Sequence, residues 1–430
     1  MNRHKNFIKL LQSAVTLQIM NTDAHIQVSR LGSALKSLKI AVVTETYPPD
    51  INGVAHTLSK IVEGLQALGH DLWLIRPKQQ AQHMAVQTAH FQEVLVKGVP
   101  IPFYSELRMG LPAKRELHRL WAKQRPDIVH IATEGPLGWS ALQVARKLKL
   151  PVSTDFRTNF HAYSQHYGIG WLSGAIRVYL KKFHNRADVT MVPTAMLQQE
   201  LQAKGFERVQ VVPRGVDTSQ FSPSYRSLAL RQSWGVAEGD KVLLYVGRLA
   251  AEKNLGLVVQ AYLKAKQSDA RTRLVLVGDG PMREALQLQY PDIVFAGYRS
   301  GADLAAHYAS GDVFVFASLT ETFGNVTLEA MASGLAVVAF KHAAAGQCIR
   351  HGDNGMCVDT ESPHDFVQAV CSVVEAPSLQ MRLAKEALLT AKTFDWPGVV
   401  ERTEAVFRQV MAGNYQQESL VLEMSLQRAP

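Results

Sequence analysis

Between Lys39 and Val212 short apolar runs alternate with longer stretches in which apolar residues return every three or four positions. The runs "KIAVVTETY", "DLWLIRP", "PDIVHIAT", "LPVSTDF", "DVTMVPT" and "RVQVVPRGV" have strand length and few polar interior positions. Strands apolar on both sides belong to a sheet covered on both faces; a half-exposed strand would alternate strictly. Between the runs, "AHTLSKIVEGLQALGH" sets Leu58, Ile61, Val62, Leu65 and Leu68 on one helical face and stops at Gly69. "GPLGWSALQVARKLKL" reads as a second such helix. The pattern restarts with "KVLLYVGRL" as strand, "NLGLVVQAYLKAK" as helix, "RLVLVGDGP" as strand and "MREALQLQ" as helix. It continues through "IVFAGY", "GADLAAHYASG", "DVFVFASL", "TLEAMASG" and "LAVVAF". Strands alternating with helices of this length predict parallel sheets wound on both faces, an α/β class.

A chain of 430 residues exceeds one ordinary core. The expected division is an extension over 1–38, a first domain over 39–212, a linker over 213–240 and a second domain over 241–392. A last helix over 393–412 is expected to return to the first domain, followed by a tail over 413–430. Two doubly wound domains in tandem leave a cleft between the carboxyl ends of their strands, where such sheets bind ligands. The strand-to-helix turns are therefore the places to search for chemistry.

Composition narrows this further. Hydrophobic content of 47% and charged content of 19% are those of a soluble globular protein. No apolar run reaches the length of a membrane span. Cys348, Cys357 and Cys371 have an odd count and no metal-ligand spacing, which suits reduced thiols in a cytoplasmic chain. The net charge of +9 is uneven: residues 1–212 hold 26 Lys and Arg against 14 Asp and Glu, and the remainder is slightly acidic. A basic half allows an anionic partner, or is solvated surface. Residues 1–38 start basic and place Phe7, Leu10, Leu11, Ala14, Leu17 and Met20 at helical spacing, interrupted by Lys9, Gln12 and Gln18. That is a poor secretory signal; an amphipathic membrane-surface helix, a disordered leader and an upstream start codon remain as readings.

Four turns of the second half carry candidate chemistry. "VGRLAAEKN" places Arg248 and Lys253 just past a strand, where two cations beside a helix start can grip a diphosphate. "VGDGP" puts Gly278 in a tight turn after a buried strand, without a full dinucleotide fingerprint. "AGYRS" offers Tyr298 and Arg299 to a base edge, or is a surface loop. In "TETFGNVTLE" the carboxylates Glu321 and Glu329 flank Phe323, Gly324, Asn325 and Val326. Gly324 permits close backbone approach, and the amides of Gly324, Asn325 and Val326 are first-turn donors suited to phosphate. Glu329 suits a ribose diol, and Glu321, nearer the cleft, suits sugar hydroxyls.

Together these segments resemble a retaining GT-B glycosyltransferase of family four, the group 1 glycosyltransferases. Glu321 and Glu329 match the family's E-x7-E signature, and "GRLAAEKN" its phosphate-gripping Arg and Lys. "VPRGVDTSQFSP", "GDGPMREAL", "FAGY", "GLAVVAF" and "HGDNGMCVD" follow in the family's order, and the resemblance spans residues 39–412. "TETYPPDINGVAHTL" resembles the family's acceptor-side Gly loop and brings Gly53 among the expected donor-binding residues. "VPIPFYSELRMGLP" and "HYG" resemble the subgroup of sulfoquinovosyl, glucosyl and mannosyl diacylglycerol synthases.

The resemblance implies two Rossmann-like doubly wound domains and retaining transfer of a hexose from a UDP- or GDP-linked sugar to a hydroxyl. The acceptor it implies is a membrane glycerolipid; a soluble glycan or polysaccharide is the alternative, and a sugar-nucleotide epimerase a more distant one. No cofactor or metal is expected, since no Asp-x-Asp occurs in the chain. No nucleic-acid partner is expected, since no aromatic-interleaved basic motif occurs. The location implied is cytoplasmic, with peripheral attachment to an anionic membrane inner face through the basic half. "GWLSGAIRVYLKKFHNRA" is the candidate docking element, with Trp171, Leu172, Ile176, Tyr179 and Leu180 near Arg177, Lys181, Lys182 and Arg186; a core-packed helix is the other reading. Two departures stand out. In "STDFRTNFHAYSQHYG" Arg157 occupies the place of the family's catalytic histidine, and either it or His161 serves there. The family's sugar-contacting turn reads "AAAGQ", Ala343 to Gln347.

Overall fold

The computed structural model describes residues 36–50, 52–79, 82–101, 104–157 and 173–413. Trp171, Leu172 and His161, and most of the extension and tail, lie outside them.

Strands β1 (Lys39–Val43), β2 (Asp71–Pro77) and β3 (Phe91–Val96) are followed by a hairpin of β4 (Gly98–Ile101) and β5 (Tyr104–Gly110). Then come β6 (Ile128–Ile131), β7 (Val152–Asp155), β8 (Val189–Val192) and β9 (Val209–Val211). Apart from the hairpin these form one seven-stranded sheet in the order β3-β2-β1-β6-β7-β8-β9, every pair parallel. A second sheet of six strands is built from β10 (Val242–Val246), β11 (Arg273–Val277), β12 (Val294–Gly297), β13 (Val313–Phe316), β14 (Ala336–Phe340) and β15 (Met356–Val358). Its order is β12-β11-β10-β13-β14-β15, again all parallel. Each order reverses direction once, at β1/β6 and at β10/β13. At such switch points helices on opposite faces diverge and leave a crevice at the carboxyl ends of the strands.

The apolar runs explain the layering. Every residue of β10, β13 and β14 is buried, as a strand covered by helices on both faces must be. In β13, "VFVF", the rings of Phe314 and Phe316 stack at 5.6 Å. Burial of each such side chain contributes about 1.5–3 kcal/mol. The turns fall just after these runs, where apolar pattern gives way to Gly, Ser and charge.

Residues 213–240 do not hang free between the sheets. Val216, Phe221, Trp234 and Val236 join the core of the second unit, the one built on the six-stranded sheet; the seven-stranded sheet and its helices are the first unit. Arg226 and Arg231 both pair with Asp312, at 2.8 and 3.0 Å. The helix Trp396–Met411 packs on the helix Gly53–Ala67 of the first unit. A Cβ on Gly64 would stand 2.4 Å from a Val400 methyl, so the two helices approach as closely as glycine permits. Phe407 lies 5.4 Å ring to ring from His130, and His70 lies 3.3 Å from Glu404. All three cysteines are free. Among the described residues no helix is long and apolar enough to cross a membrane.

Within the helix Ser173–His184 the apolar residues divide by face. Leu180 and Phe183 are buried, and Ile176 packs against the core. The Tyr179 hydroxyl donates to the Glu134 carbonyl, and its ring lies 5.5 Å from that of Trp139. The expected docking surface is therefore narrower than the sequence suggested, because most of its apolar residues serve the fold. Val178, 66% exposed, stands outward among exposed Arg177, Lys181 and Lys182.

Candidate active site

The turns after β10 and β13 meet at the switch point of the second sheet. β10 leads through Gly247 into Arg248 and a short 3-10 turn, Ala251–Lys253. The Tyr245 hydroxyl donates to the Arg248 carbonyl at 3.0 Å and steadies that turn. β13 leads into Ser318, then Glu321, then the helix Asn325–Ala332. The Lys253 ammonium is in direct contact with Glu321 Oε1, and the Ser318 hydroxyl donates to the same oxygen at 2.9 Å. Both partners of this pair are partly accessible, so it faces the crevice. Arg248 is more open, 59% exposed, with Glu252 3.7 Å away.

The helix Asn325–Ala332 opens with Gly324 at φ 81°, a left-handed conformation that glycine adopts without strain. First-turn amides of a helix have no acceptor within it and favour an anion. Phe323 is buried and anchors the turn from below, while its carbonyl accepts from the Ala344 amide at 2.7 Å. The His342 ring donates to the Glu321 carbonyl at 3.2 Å. Asn325 and Val326 are partly accessible, Val326 also leaning on the core.

One turn further on, Glu329 accepts from the Tyr308 hydroxyl at 2.8 Å. Burial of the carboxyl pushes Glu329 up to about 7, against the Tyr308 hydrogen bond, which lowers it. Tyr308 is itself pushed well above its ordinary range by burial and by Glu329, so it remains a donor. Among the described residues the Tyr308 hydroxyl is the donor to this poorly solvated carboxylate, and its remaining lone pairs suit hydroxyl donors.

Gly278 and Gly280 bring the turn after β11 against the Arg248 loop. A Cβ on Gly278 would stand 2.0 Å from the Gly247 carbonyl oxygen, at φ 134°. Gly278→Ala is therefore expected to destabilise the fold by roughly 2–4 kcal/mol. Urea unfolding reads this directly; an unchanged midpoint would contradict the close approach. After β12, Tyr298 is 61% exposed. Arg299 donates to the Ala296 carbonyl at 2.9 Å and pairs with Asp303 at 3.1 Å, so it holds its own loop closed. The Tyr298 ring is left open to solvent at this turn.

The first unit contributes a different chemistry. Gly53 opens the helix Gly53–Ala67, capped by the Asn52 side chain on the Ala55 amide, and a Cβ on Gly53 would meet only open space. Arg157 is 5% exposed and pairs with Asp155, which also takes two hydrogen bonds from Arg214, at 3.0 and 3.4 Å. Burial would raise Asp155, but Arg157 and Arg214 outweigh it and hold the carboxyl at about 2. Arg157 thus stands in a buried ion triad with Asp155 and Arg214. Whether His161 reaches the crevice lies outside the described residues.

Sequence reasoning missed several members of the site. Ser318 is the first polar residue past β13, a signal that was available. Tyr308 sits on the buried face of a helix, His342 past the end of β14, and neither carries a local pattern. Glu45, just past β1, was also missed: its Oε1 accepts from the Leu137 amide at 3.2 Å and so caps the helix Pro136–Lys147. Burial first, and then Glu134, push Glu45 up to about 7, against the Leu137 hydrogen bond.

Residues 51–220 match the Glycosyltransferase Family 4 profile and residues 240–376 that of Glycosyl transferases group 1. A GDP-mannose-dependent alpha-mannosyltransferase of Corynebacterium glutamicum is 32% identical over 88% of this chain and 88% of its own. Sulfoquinovosyl transferase SQD2 of Arabidopsis thaliana is 28% identical over 85% of this chain and 72% of its own. An alpha-monoglucosyldiacylglycerol synthase of Acholeplasma laidlawii is 27% identical over 83% and 93%. A sucrose-phosphate synthase from Thermosynechococcus elongatus superposes with a TM-score of 0.71 at 18% identity, over 87% of this chain and 99% of that one. At that identity the likeness concerns the fold, which is GT-B. With both profiles in register on the two sheets, and the paired glutamates and cations at the switch point, the chain belongs to the family-four, group 1 glycosyltransferases.

Proposed function

We propose that the protein transfers a hexose, with retention, from a UDP- or GDP-linked sugar to a hydroxyl of a membrane glycerolipid. The observation that carries the donor side is the convergence of Lys253, Glu321 and the Asn325–Ala332 N-terminus on one point, with Glu329 one turn behind. Lys253 and Glu321 neutralise each other. An arriving diphosphate competes for Lys253 and releases Glu321 to accept hydroxyls of the sugar. Arg248 and the first-turn amides take the remaining phosphate oxygens, and Glu329 takes the ribose diol. Negative charge grows on the departing diphosphate in the transition state, and the two cations and the helix end are aimed at it, so no protein-held metal is required. The acceptor hydroxyl attacks on the face the diphosphate leaves, passing its proton to a departing phosphate oxygen.

Two features support a lipid acceptor. Relatives that span most of the chain carry diacylglycerol in their names. The first unit is basic, with Val178 exposed among Arg177, Lys181 and Lys182. Such a surface suits the cytoplasmic face of an anionic membrane. The test is transfer of labelled hexose from GDP-mannose, UDP-glucose and ADP-glucose, with diacylglycerol in phosphatidylglycerol vesicles and with a soluble glycan. Labelled lipid is expected, together with vesicle binding that falls as salt rises from about 0.05 to about 0.5 M. Labelled glycan alone, with no vesicle binding at either salt, would move the acceptor to a soluble glycan.

A further inference from the structure

Resting on the proposed transfer reaction, we propose that Arg76 is a positioning residue for the acceptor, acting through the loop Glu45–Asp50. Arg76 stands at the carboxyl end of β2 and is 4% exposed. Its Nη1 donates to the Pro48 carbonyl at 2.9 Å and, at 3.4 Å, to that of Tyr47. Its guanidinium carbon lies 5.5 Å from the centre of the Tyr47 ring. Nε donates to Glu93 Oε1, and Nη2 lies 3.1 Å from His83 Nε2. Glu93, buried on β3, accepts the Val86 amide at 3.1 Å with its other oxygen. One guanidinium thus fixes the loop after β1 to β3 and to the segment around His83.

The loop needs an outside donor. Pro48 and Pro49 have no N–H, so the turn lacks two of the donors that would let it close on itself. The Asp50 amide reaches the Tyr47 carbonyl at 3.1 Å, and a small network ties Thr46, Asp50, Asn52 and Gln79 together. The Pro48 carbonyl is held by Arg76. A buried ion pair is weak evidence of stability, since an apolar pair of the same volume often serves the core as well. What an apolar pair cannot supply is the pair of directed hydrogen bonds to the loop.

The loop lies where this matters. It follows β1 at the switch point of the first sheet and runs into Asn52 and Gly53, where a side chain would meet open space. Lys253, Glu321 and Glu329, the donor groups brought together here, stand at the second sheet, so the crevice at the end of β1 is left to the acceptor. An unpinned loop shifts the acceptor hydroxyl relative to the sugar without touching those three side chains. Displacements of about 1 Å in reacting groups lower rates by about a hundredfold.

The experiment compares Arg76→Met, Glu93→Gln and the double variant Arg76→Met/Glu93→Leu in the full chain. Transfer to diacylglycerol is measured beside hydrolysis of the same nucleotide sugar in the absence of acceptor. The double variant keeps the core apolar and the charges balanced, so it separates loop positioning from folding. Expected are a fall of tenfold or more in kcat/KM for the acceptor in Arg76→Met and in the double variant. Donor KM and hydrolysis should stay within about twofold of the wild type, and Glu93→Gln should fall between. Equal loss of transfer and hydrolysis, unchanged transfer, or failure of the double variant to fold would each overturn the positioning role. If the wild type transfers to no acceptor, the reaction itself is misassigned, and that outcome is separable from any effect of Arg76.

Discussion

Lys253→Ala is expected to lower kcat by about a hundredfold to a thousandfold, the scale of removing one preorganised charge-stabilising donor. Two effects combine. The ammonium that would meet the leaving diphosphate is gone. The Glu321 carboxylate, which in the wild type shares its Oε1 between Lys253 and Ser318, then faces the diphosphate without its cation. The combined variant Lys253→Ala/Glu321→Gln should therefore be less impaired than the two single losses multiplied, because it removes the repulsion along with the cation. Arg248→Ala should also act mainly on kcat, by a smaller factor, since Arg248 is open to solvent and, among the described residues, pairs only with Glu252, 3.7 Å away. Single-turnover rates at saturating donor separate this from binding. Full turnover in Lys253→Ala would remove the leaving-group role.

Glu329→Ala is expected to reduce kcat/KM by at least tenfold, chiefly through donor KM, as loss of a charged hydrogen bond does. It would also leave the Tyr308 hydroxyl buried without its acceptor. Glu329→Gln keeps that acceptor and should sit between. The pH dependence has a definite sign. Only the ionised carboxylate accepts from both ribose hydroxyls, and burial holds Glu329 at about 7. Donor affinity is therefore full above pH 7 and declines as pH falls through 7, while Glu329→Gln should abolish that inflection. A donor KM flat from about pH 6 to pH 8 in the wild type would contradict the assignment.

Much of the fold was legible because parallel strands covered on both faces must read as unbroken apolar runs, and "VFVF" and "VLLYV" do. The position of Glu321 and Glu329 followed from the same pattern, since carboxylates just past such a run have no place in a core. What could not be read is contact between distant segments. Lys253 and Glu321 are 68 residues apart and meet only because β10 and β13 are neighbours at the switch point. The clamp of Arg226 and Arg231 on Asp312 turned an apparent linker into part of the second unit. Arg157 looked available at the end of a strand, but burial beside Asp155 and Arg214 gives it an electrostatic task of its own. Ile176 and Leu180 followed helical spacing toward a membrane face, but the spacing alone did not say which side of the helix met the core.

In the proposed reaction this crevice breaks the bond between a hexose and a nucleoside diphosphate and hands the sugar on with its anomeric configuration kept. The most direct measurement follows purified protein by NMR with α-linked GDP-mannose and UDP-glucose, in the presence of diacylglycerol vesicles or a soluble glycan. Expected are an α-linked product, one nucleoside diphosphate released per glycoside formed, and loss of both signals in Lys253→Ala. A β-linked product, or glycoside formation undiminished in Lys253→Ala, would contradict retaining transfer at this site.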